Sequence, residues 1–334
     1  MTVTSRQIRL AKRPVGLPDI STWELTTEEL PAPGPGQILV AVDHISIDPA
    51  MRGWLNDTRS YVPPVGIGEV MRAIATGTVI ASESPERPVG SHVRGMFGVA
   101  DHVIVDAATT DPIDPAIASE ATWLGALGMP GMTAYFGLFD VGRLRDGETV
   151  VVSGAAGAVG SVVGQLAKAR GCRVIGIAGG PDKCAWLEEI GFDAAIDYRQ
   201  GDVTAKLREL VPGGIDVYFD NVGGEILDAA LANLRRGARI VLCGAISSYN
   251  AEDLPPGPQR YMALLVFRAS MTGFLVFDYA DRFPEGVAAI AALIDSGALV
   301  ARETVVGGGI EGFPEALLGI YQGINTGKLV LTVP

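Results

Sequence analysis

A glycine triplet marks the point where a predicted strand passes into a predicted helix. The apolar run GETVVV ends shortly before Gly154, and Gly157 and Gly160 follow at intervals of three residues. In such a loop the first glycine permits a tight turn, the second lets a pyrophosphate approach the backbone, and the third allows close helix packing. The helix N-terminus offers unpaired N–H groups to phosphate oxygens. The context predicts a dinucleotide site, although the spacing is GxxGxxG rather than GxGxxG, and a tight turn without a ligand is the alternative.

The chain beyond the triplet alternates between short apolar segments and helical segments of roughly ten residues. Further strands are predicted in CRVIGIAGG, DAAIDY, GIDVYFDNVGG, ARIVLCGAISS and SMTGFLVF, and further helices in PDKCAWLEEIG, VTAKLRELV and EILDAALANLRRG. Strands that alternate with helices indicate βαβ crossovers and therefore a parallel sheet. The predicted class is α/β with a doubly wound parallel sheet.

The first part of the chain has a different pattern. Segments such as QILVAVDHISID and AIATGTVIAS are rich in β-branched residues and are separated by Gly, Pro and Asp, as in a β-barrel or β-sandwich. The tail from about Leu299 ends in KLVLTVP, and we expect this strand-like run to pair with the first domain. The predicted domains are residues 1–125 together with 300–334, and a cofactor-binding domain of residues 126–299. A length of 334 residues suits two such domains.

Composition and cysteine usage restrict the environment and the partners. The formal net charge is −12, which disfavours nonspecific nucleic-acid binding because such binding depends on neutralising phosphates. The three cysteines, Cys172, Cys184 and Cys243, form no CxxC pair and are expected to be reduced thiols. The N-terminus lacks the apolar core of a signal peptide, and no stretch of about 18 apolar residues predicts a membrane span. We therefore predict a cytoplasmic protein without nucleic-acid or membrane partners.

The choice between NADH and NADPH is usually made at the end of the second strand. NAD enzymes carry Asp or Glu there to bind the ribose hydroxyls, whereas this chain has Ala178, Gly179 and Gly180. Lys183 follows shortly, and its ammonium would attract a 2′-phosphate. The sequence therefore favours NADPH with Lys183 as the discriminating residue, and a solvated helix lysine is the alternative.

Residues that could bind a metal are scarce in the sequence. The β-rich region contains no cysteine, and the only histidines of the chain, His44, His92 and His102, are widely separated. Zinc sites of dehydrogenases use Cys, His and carboxylate ligands, so these histidines are expected to be core or surface residues and no metal site is predicted. Without a Lewis acid, alcohol oxidation loses its usual stabilisation of the alkoxide. Hydride addition to a C=C bond conjugated with a carbonyl fits better, because the carbonyl spreads the charge as an enolate.

Five motifs, in order, carry a resemblance to a known family over nearly the whole chain. They are GMPGMTAYFGL (128–138), SGAAGAVGSVVGQLAK (153–168), YFDNVGG (218–224), CGAISSYN (243–250) and NTGK (325–328). The chain resembles the zinc-free branch of the medium-chain dehydrogenase/reductases, which includes prostaglandin reductases, leukotriene hydroxydehydrogenases and alkenal double-bond reductases. The resemblance implies a GroES-like β-barrel domain, a Rossmann domain that binds NADPH, an active site in the cleft between them, and a homodimer.

The resemblance also transfers cofactor contacts to the matching positions. It implies that Lys183 and Tyr198 hold the adenosine 2′-phosphate. The segments Cys243 to Tyr249 and Phe274 to Val276 match those beside the nicotinamide ribose and the carboxamide. The cofactor-binding residues expected from the glycine loop and the resemblance are Met129, Thr133, Gly154, Ala156, Gly157, Ala158, Val159, Gly160, Lys183, Tyr198, Asn221, Cys243, Gly244, Ala245, Ile246, Tyr249, Phe274, Leu275, Val276 and Asn325.

Two tyrosines are candidates for the polar catalytic group. Tyr249 is the preferred one, because a phenol can donate a hydrogen bond to a developing enolate or steady the ribose hydroxyl. A structural hydrogen bond that closes its loop is the alternative role. Tyr61, from the barrel, is the second candidate, and the proton for the α-carbon can come from water.

The motif DPAMRGW departs from the family, some of whose members have tyrosine where this chain has Ala50. Asp48 and Arg52 are expected to form an internal ion pair. Trp54 either compensates for the missing aromatic ring or belongs to the core. This departure leaves the substrate preference open.

The predicted activity is the NADPH-dependent, zinc-independent reduction of the C=C bond of α,β-unsaturated ketones or aldehydes. Hydride would reach the β-carbon and a proton would reach the α-carbon. Two alternatives stay open at this point. An NADPH quinone oxidoreductase would share the same glycines, and a catalytically silent NADPH-binding protein would need the same cofactor contacts.

Overall fold

The computed structural model describes residues 2–253 and 255–333, and these residues form two compact units. The first unit is Met1–Leu124 with Glu303–Pro334, and the second is Gly125–Arg302. The sequence analysis places the corresponding boundaries at residues 125 and 300.

The secondary structure follows the two patterns of the sequence, with strands early and late and strand–helix alternation between them. The strands are β1 (Val3–Leu10), β2 (Trp23–Leu30), β3 (Gln37–Ile47), β4 (Ala75–Ser82), β5 (His92–Gly95), β6 (His102–Asp106), β7 (Asp111–Pro112), β8 (Thr149–Ser153), β9 (Arg173–Ala178), β10 (Ala194–Asp197), β11 (Ile215–Asp220), β12 (Leu234–Leu242), β13 (Ser270–Gly273), β14 (Glu303–Val306) and β15 (Lys328–Thr332). The α-helices are α1 (Met51–Trp54), α2 (Glu120–Leu124), α3 (Met129–Phe136), α4 (Gly160–Ala169), α5 (Pro181–Glu189), α6 (Val203–Leu210), α7 (Gly224–Leu231), α8 (Ala263–Phe267), α9 (Phe283–Asp295) and α10 (Phe313–Gln322). Short 3₁₀ helices cover Ile20–Thr22, Ala107–Thr109, Ile246–Ser248, Val276–Arg282 and Ile310–Gly312, and a π-helical segment covers Gly137–Val141. Among the described residues, none of the helices combines the length and the apolar character that a bilayer crossing requires.

A parallel sheet organises the second unit. Its strands lie in the order β10-β9-β8-β11-β12-β13, and every neighbouring pair runs parallel. Numbered within the unit, this is the order 3-2-1-4-5-6 of a Rossmann fold. The central strands β8 and β11 are buried almost throughout, because helices cover both faces of such a sheet. The predicted α/β class with a doubly wound sheet is confirmed.

One predicted helix ends earlier than its pattern suggests. Helix α7 ends at Leu231. The segment LRRG, which the sequence analysis includes in the helix, forms the start of β12 at Leu234. The side-chain amide of Asn233 donates to the carbonyl of Ala229 at 2.9 Å and satisfies a carbonyl at the helix end. The chain then extends beside β11, where Leu234 pairs with Ile215. Sheet pairing therefore overrides the helix propensity of this segment.

Antiparallel pairing dominates the first unit. One sheet has the order β14-β15-β3-β4-β5-β7, with β6 also paired to β3, and β1 and β2 form a separate antiparallel pair. Strand β15 runs antiparallel to β3, with Leu331 opposite Ile45 and Leu329 opposite Ile47. These four side chains are buried in the core of the unit. The C-terminal tail therefore completes a sheet that the N-terminal segment begins, as the sequence analysis expects.

The charge pairing around Asp48 differs from the expected one. The sequence analysis pairs Asp48 with Arg52, which is wrong, because Asp48 Oδ1 accepts a hydrogen bond from Lys328 Nζ at 2.9 Å. The same ammonium donates to the carbonyl of Ile47 at 2.7 Å, and Arg52 donates to the carbonyl of Gly16 at 2.9 Å. Lys328 is buried, and burial lowers the pKa of its ammonium while Asp48 opposes this lowering. A buried ammonium needs a nearby carboxylate, and only folding brings Lys328 to Asp48.

Helix α4 lies very close to the end of β8. A Cβ atom placed on Gly160 would come within 2.5 Å of the Gly154 carbonyl oxygen and 2.7 Å of the Ala155 Cα atom. Both are backbone atoms, so no side-chain rotation can relieve such a contact. The third glycine of the triplet is therefore required for the close approach of the helix to the sheet.

We expect Gly160→Ala to lower the free energy of unfolding by about 1–3 kcal/mol, because it inserts a methyl group into a filled backbone contact. Urea unfolding followed by circular dichroism measures this change. Gly213→Ala is the matched control, since a Cβ atom at Gly213 meets nothing within 4 Å. Equal unfolding free energies for the two variants would contradict the close-packing argument.

Candidate active site

The carboxyl edge of the parallel sheet collects most of the predicted cofactor residues. The strands β8 to β13 end, in chain order, at Ser153, Ala178, Asp197, Asp220, Leu242 and Gly273. Because these strands run parallel, their ends lie along one edge of the sheet. The glycine loop, Asn221 and the segments that begin at Cys243 and Phe274 each follow one of these ends directly. Strands β8 and β11 are neighbours at the point where the strand order reverses, which is where ligands bind in open α/β sheets.

The loop after β8 has the geometry of an anion site. Gly154 adopts a φ of +56°, a conformation that favours glycine, and turns the chain out of the strand. The N-cap residue of α4, Val159, contributes no side-chain hydrogen bond to the first turn of the helix. The N–H of Ser161 in this turn donates to the carbonyl of Gly157 at 3.1 Å. The N-terminal end of a helix also carries a partial positive charge, so this end of α4 suits phosphate oxygens. The predicted pyrophosphate residues, from Ala156 to Val159, form the rest of the loop.

A buried carboxylate joins the end of β8 to the loop that follows β11. Asp220 Oδ1 accepts hydrogen bonds from the hydroxyls of Ser153 and Tyr218 at 2.9 and 3.0 Å, and from the N–H groups of Val222 and Gly223 at 3.1 and 3.0 Å. Asp220 thereby holds the loop after β11 against the end of β8. The sequence analysis misses this residue, although an aspartate at the end of the apolar run in YFDNVGG is a visible signal.

Two predicted cofactor residues lie beside this carboxylate. Asn221 donates from Nδ2 to the carbonyl of Ser153 at 2.7 Å and from its backbone N–H to the Ser153 hydroxyl at 2.9 Å. Its side chain therefore braces the end of β8.

Desolvation and the Asp220 carboxylate raise the pKa of Cys243 to about 12. Cys243 is consequently a thiol at neutral pH and has no nucleophilic thiolate to offer.

The loop after β12 folds against the loop after β11. Ser247 Oγ donates to the carbonyl of Val222 at 2.6 Å, and the N–H of Ala245 donates to the Tyr249 hydroxyl at 3.2 Å. A Cβ atom on Gly244 would lie 2.9 Å from the same hydroxyl, so the phenol packs closely against this glycine. Tyr249 thus makes the loop-closing bond that the sequence analysis names as its alternative role. The Ala245 contact uses only an acceptor lone pair of the phenol, so this contact is compatible with both roles.

Helix α3 and the segment after β13 carry the remaining predicted residues of the second unit. The Thr133 hydroxyl donates to the carbonyl of Met129 at 2.8 Å, within their own helix. The Phe274 ring lies edge-on to Tyr279 with the ring centroids 6.4 Å apart. The segment Phe274–Val276 leaves the carboxyl end of β13, with Val276 buried. The structure therefore places this segment at the same sheet edge as the glycine loop.

Two basic residues follow the ends of β9 and β10. Lys183 lies in the first turn of α5, and Arg199 comes directly after Tyr198 in the sequence IDYR. A Cβ atom on Gly179 would approach Tyr198 Cε1 to 2.9 Å and Arg199 Nε to 3.1 Å. Asp197 fixes the backbone at Arg199, because Asp197 Oδ1 accepts a hydrogen bond from the backbone N–H of Arg199 at 3.0 Å. We call the group of Lys183, Tyr198 and Arg199 the cationic corner.

The electrostatics of the cationic corner suit an anion. Burial and the Arg199 guanidinium lower the pKa of Lys183. Two like charges in a partly desolvated place repel each other, and an anion bound between them would relieve that repulsion. The Arg199 guanidinium also lies 5.8 Å from the centroid of the Tyr198 ring. Sequence reasoning names Lys183 and Tyr198 but misses Arg199, for which the adjacent basic letter in IDYR is the signal.

Two predicted site residues belong to the first unit. Tyr61 is 48% exposed, and its hydroxyl accepts a hydrogen bond from Trp54 Nε1 at 3.3 Å. Trp54 itself belongs to the hydrophobic core. Asn325 is buried, and its Nδ2 donates to the carbonyl of Gly327 at 2.7 Å. Tyr61 therefore has an exposed phenol supported by a core tryptophan.

The first unit also contains a group of side chains that could hold a metal ion. Donor atoms of Asp43, His92 and Glu120 lie within 4.8 Å of one another. His44 contacts the same glutamate, with its Nδ1 3.2 Å from Glu120 Oε2. The sequence analysis treats His44 and His92 as isolated residues, but sheet pairing brings both to one carboxylate. His102 lies apart from this group, on β6.

Comparisons with known proteins agree with the arrangement of both units. Residues 6–113 match a family model described as the N-terminal domain of oxidoreductase, and residues 158–292 match one described as zinc-binding dehydrogenase. The NADPH-dependent curcumin reductase of Escherichia coli is 39% identical over 335 residues, which cover 98% of this chain and 97% of the relative. The NADP(+)-dependent 2-alkenal reductase of Nicotiana tabacum is 38% identical over 338 residues, which cover 99% and 98%.

A solved structure shows the same similarity in three dimensions. The crystal structure of CurA in complex with NADPH from Vibrio vulnificus superposes with a TM-score of 0.93 at 43% identity, covering 98% of this chain and 99% of that chain. Together with the Rossmann strand order and the five ordered motifs, these matches extend over nearly the whole chain. The chain therefore belongs to the medium-chain dehydrogenase/reductase family, in the group that contains the curcumin and 2-alkenal reductases.

Proposed function

We propose that this protein is an NADPH-dependent reductase of C=C bonds that are conjugated with a carbonyl group. The observation that carries the proposal is the cationic corner, where Arg199 lies beside Gly179 and acts electrostatically on Lys183. The 2′-phosphate separates NADPH from NADH, and the corner offers two positive charges where an NAD enzyme offers a carboxylate. The similar curcumin reductase is named as NADPH-dependent and the similar 2-alkenal reductase as NADP(+)-dependent.

The second unit suits this cofactor along the length of the sheet edge. The first turn of α4 would hold the pyrophosphate, and the cationic corner would hold the 2′-phosphate. The loop Cys243 to Tyr249 and the segment Phe274–Val276 would lie beside the nicotinamide ribose and carboxamide. When bound, NADPH supplies the hydride for the β-carbon of the conjugated bond.

Tyr249 is the residue that we assign to the polar step. After hydride arrives at the β-carbon, negative charge spreads over the α-carbon and the carbonyl oxygen of the substrate. A phenol that donates a hydrogen bond to this oxygen stabilises the charge. The proton for the α-carbon comes from water, with Tyr61 as the second candidate donor. The reaction adds one hydride and one proton and leaves a saturated carbonyl compound.

The proposal has three finer parts. The reaction is zinc-independent, because the conjugated carbonyl itself delocalises the charge that a Lewis acid would otherwise stabilise. The protein works in the cytoplasm, which is supported by three cysteines without a CxxC pair. The family resemblance supports a homodimer.

A small panel of acceptors tests the reaction class. With NADPH, a 2-alkenal and a linear enone should each give the saturated carbonyl compound, identified by mass spectrometry, with loss of NADPH absorbance. A saturated secondary alcohol with NADP⁺ is the control and should give no turnover. Turnover with a benzoquinone alone would instead identify a quinone reductase. Tight NADPH binding without turnover of any acceptor would identify a catalytically silent binding protein.

Removal of either cationic side chain should weaken the binding of NADPH more than the binding of NADH. We expect Lys183→Ala and Arg199→Ala each to raise the KM for NADPH by a factor that corresponds to about 1–3 kcal/mol, the value of a charged hydrogen bond. The KM for NADH should change little, because NADH has no 2′-phosphate. Arg208→Ala is the control, since Arg208 is an exposed arginine on the neighbouring helix α6. An equal rise in both KM values would show that the cationic corner does not read the 2′-phosphate.

Tyr249→Phe should separate the two roles of the phenol. We expect kcat with enones to fall roughly tenfold or more, because the hydrogen-bond donor to the enolate is lost. The Kd for NADPH, measured by fluorescence titration, should stay nearly unchanged. The variant also removes the acceptor of the Ala245 N–H, so its Tm is measured in parallel. A lowered Tm with an unchanged kcat would assign Tyr249 a purely structural role and the hydrogen bond to the enolate to Tyr61 or water.

A further inference from the structure

Three elements of the first unit bring acidic and imidazole side chains to one place. Strand β3 contributes Asp43 and His44, strand β5 contributes His92, and the first residue of α2 is Glu120. The His92 Nδ1 atom lies 2.7 Å from Glu120 Oε1, and the His44 Nδ1 atom lies 3.2 Å from Glu120 Oε2. Each oxygen of the glutamate therefore faces one imidazole.

The sheet geometry explains how residues so distant in sequence meet. Strand β4 lies between β3 and β5, so that His44 is opposite Thr76 and His92 is opposite Thr78. The β3–β4 register shifts between Val42 and His44, which marks a bulge at Asp43. A bulge re-aims side chains, and here it lets two consecutive residues of β3 face the same group. The Thr78 hydroxyl donates to Asp43 Oδ2 at 2.9 Å and orients this carboxylate.

The donor set suits a divalent cation of the zinc class. Donor atoms of Asp43, His92 and Glu120 all lie within 4.8 Å of one another. Ligand atoms held by one zinc ion at about 2.0–2.1 Å in a tetrahedron are separated by roughly 3.3–3.4 Å, so small side-chain movements would bring the three atoms to bonding distance. A mixed set of one imidazole and two carboxylates is of the kind that binds zinc with an open fourth position.

Charge and accessibility point in the same direction. Two carboxylates in a partly buried place repel each other, and a divalent cation between them would offset that repulsion. Glu120 is less accessible than either histidine, with 13% of its side chain exposed against 26% for His44 and 38% for His92. The cluster therefore has a shielded carboxylate at its base and an open side through which an ion can enter.

We propose that Asp43, His92 and Glu120 form a binding site for Zn²⁺, with His44 as a positioning residue that holds the second oxygen of Glu120. A second group that orients a ligating carboxylate in this way is common in zinc sites. Bound zinc would link β3, β5 and α2 and stabilise the first unit through mass action. None of these residues belongs to the proposed cofactor set, so the zinc test and the reductase test fail independently.

Zinc binding by the full chain, without an affinity tag and after chelator treatment, tests the site. Calorimetric titration with Zn²⁺ alone should show one equivalent bound, and zinc should raise the Tm. Glu120→Gln and His92→Gln should each weaken zinc binding by on the order of tenfold or more, and His44→Gln should weaken it less. His102→Gln, the same exchange at the histidine outside the cluster, should leave the Kd unchanged. Circular dichroism verifies that each variant is folded.

Two results would overturn the site. One is the absence of stoichiometric zinc binding by the wild-type chain, or equal affinity in wild type, Glu120→Gln and His92→Gln. The other comes from zinc X-ray absorption on the wild-type protein, which depends on no variant. The proposed site requires only nitrogen and oxygen neighbours at about 2.0–2.2 Å, whereas sulfur at about 2.3 Å would assign the ion to a cysteine.

Discussion

The contact of Gly160 with the backbone of Gly154 and Ala155 determines the geometry of the cofactor unit. Because Gly160 has no side chain, α4 can begin directly beside the carboxyl end of β8. The N-terminal end of α4 then lies at the switch point of the sheet, the place where open α/β sheets bind ligands. The Asp220 carboxylate adds the second constraint, because its four hydrogen bonds connect the end of β8 to the loop after β11. Backbone packing and one buried carboxylate together set the position of the loops on which the proposed chemistry depends.

In the proposed function, local rather than net charge selects the cofactor. The chain carries a net charge of −12, yet Lys183 and Arg199, which follow the ends of β9 and β10, are close enough for the guanidinium to lower the pKa of Lys183. Screening confines the influence of surface charges to about 8 Å at physiological salt, so the acidic remainder of the molecule does little to a phosphate held there. The same local arrangement requires a small residue at position 179, because a Cβ atom on Gly179 would come within 2.9 Å of Tyr198 and 3.1 Å of Arg199.

Each unit contains a carboxylate that gathers groups from separate segments of the chain. Asp220 in the second unit receives hydroxyl and backbone N–H donors, which satisfy one carboxylate oxygen and fix loops. Glu120 in the first unit faces two imidazoles and a second carboxylate, and these are chemical groups of the kinds that ligate metals. The difference lies in the chemistry of the neighbours. Hydroxyl and amide donors complete a structural junction, whereas imidazole and carboxylate groups retain the capacity to exchange their shared hydrogen bonds for a cation.

From the sequence alone, the class of fold and the succession of strands and helices from β8 to β12 could be predicted, together with a glycine turn after β8. These features depend on local patterns, namely glycine spacing and the alternation of apolar segments with helices. Local patterns did not reveal helix α10 (Phe313–Gln322) in the strand-like tail, the pairing of Lys328 with Asp48, the early end of α7, the approach of Arg199 to Lys183, or the meeting of His44 and His92 at Glu120. For the contacts among these, the partners are brought together by sheet register or by the crossing of separate segments. Such contacts depend on distances in space, and the spacing of residues along the chain carries no measure of them.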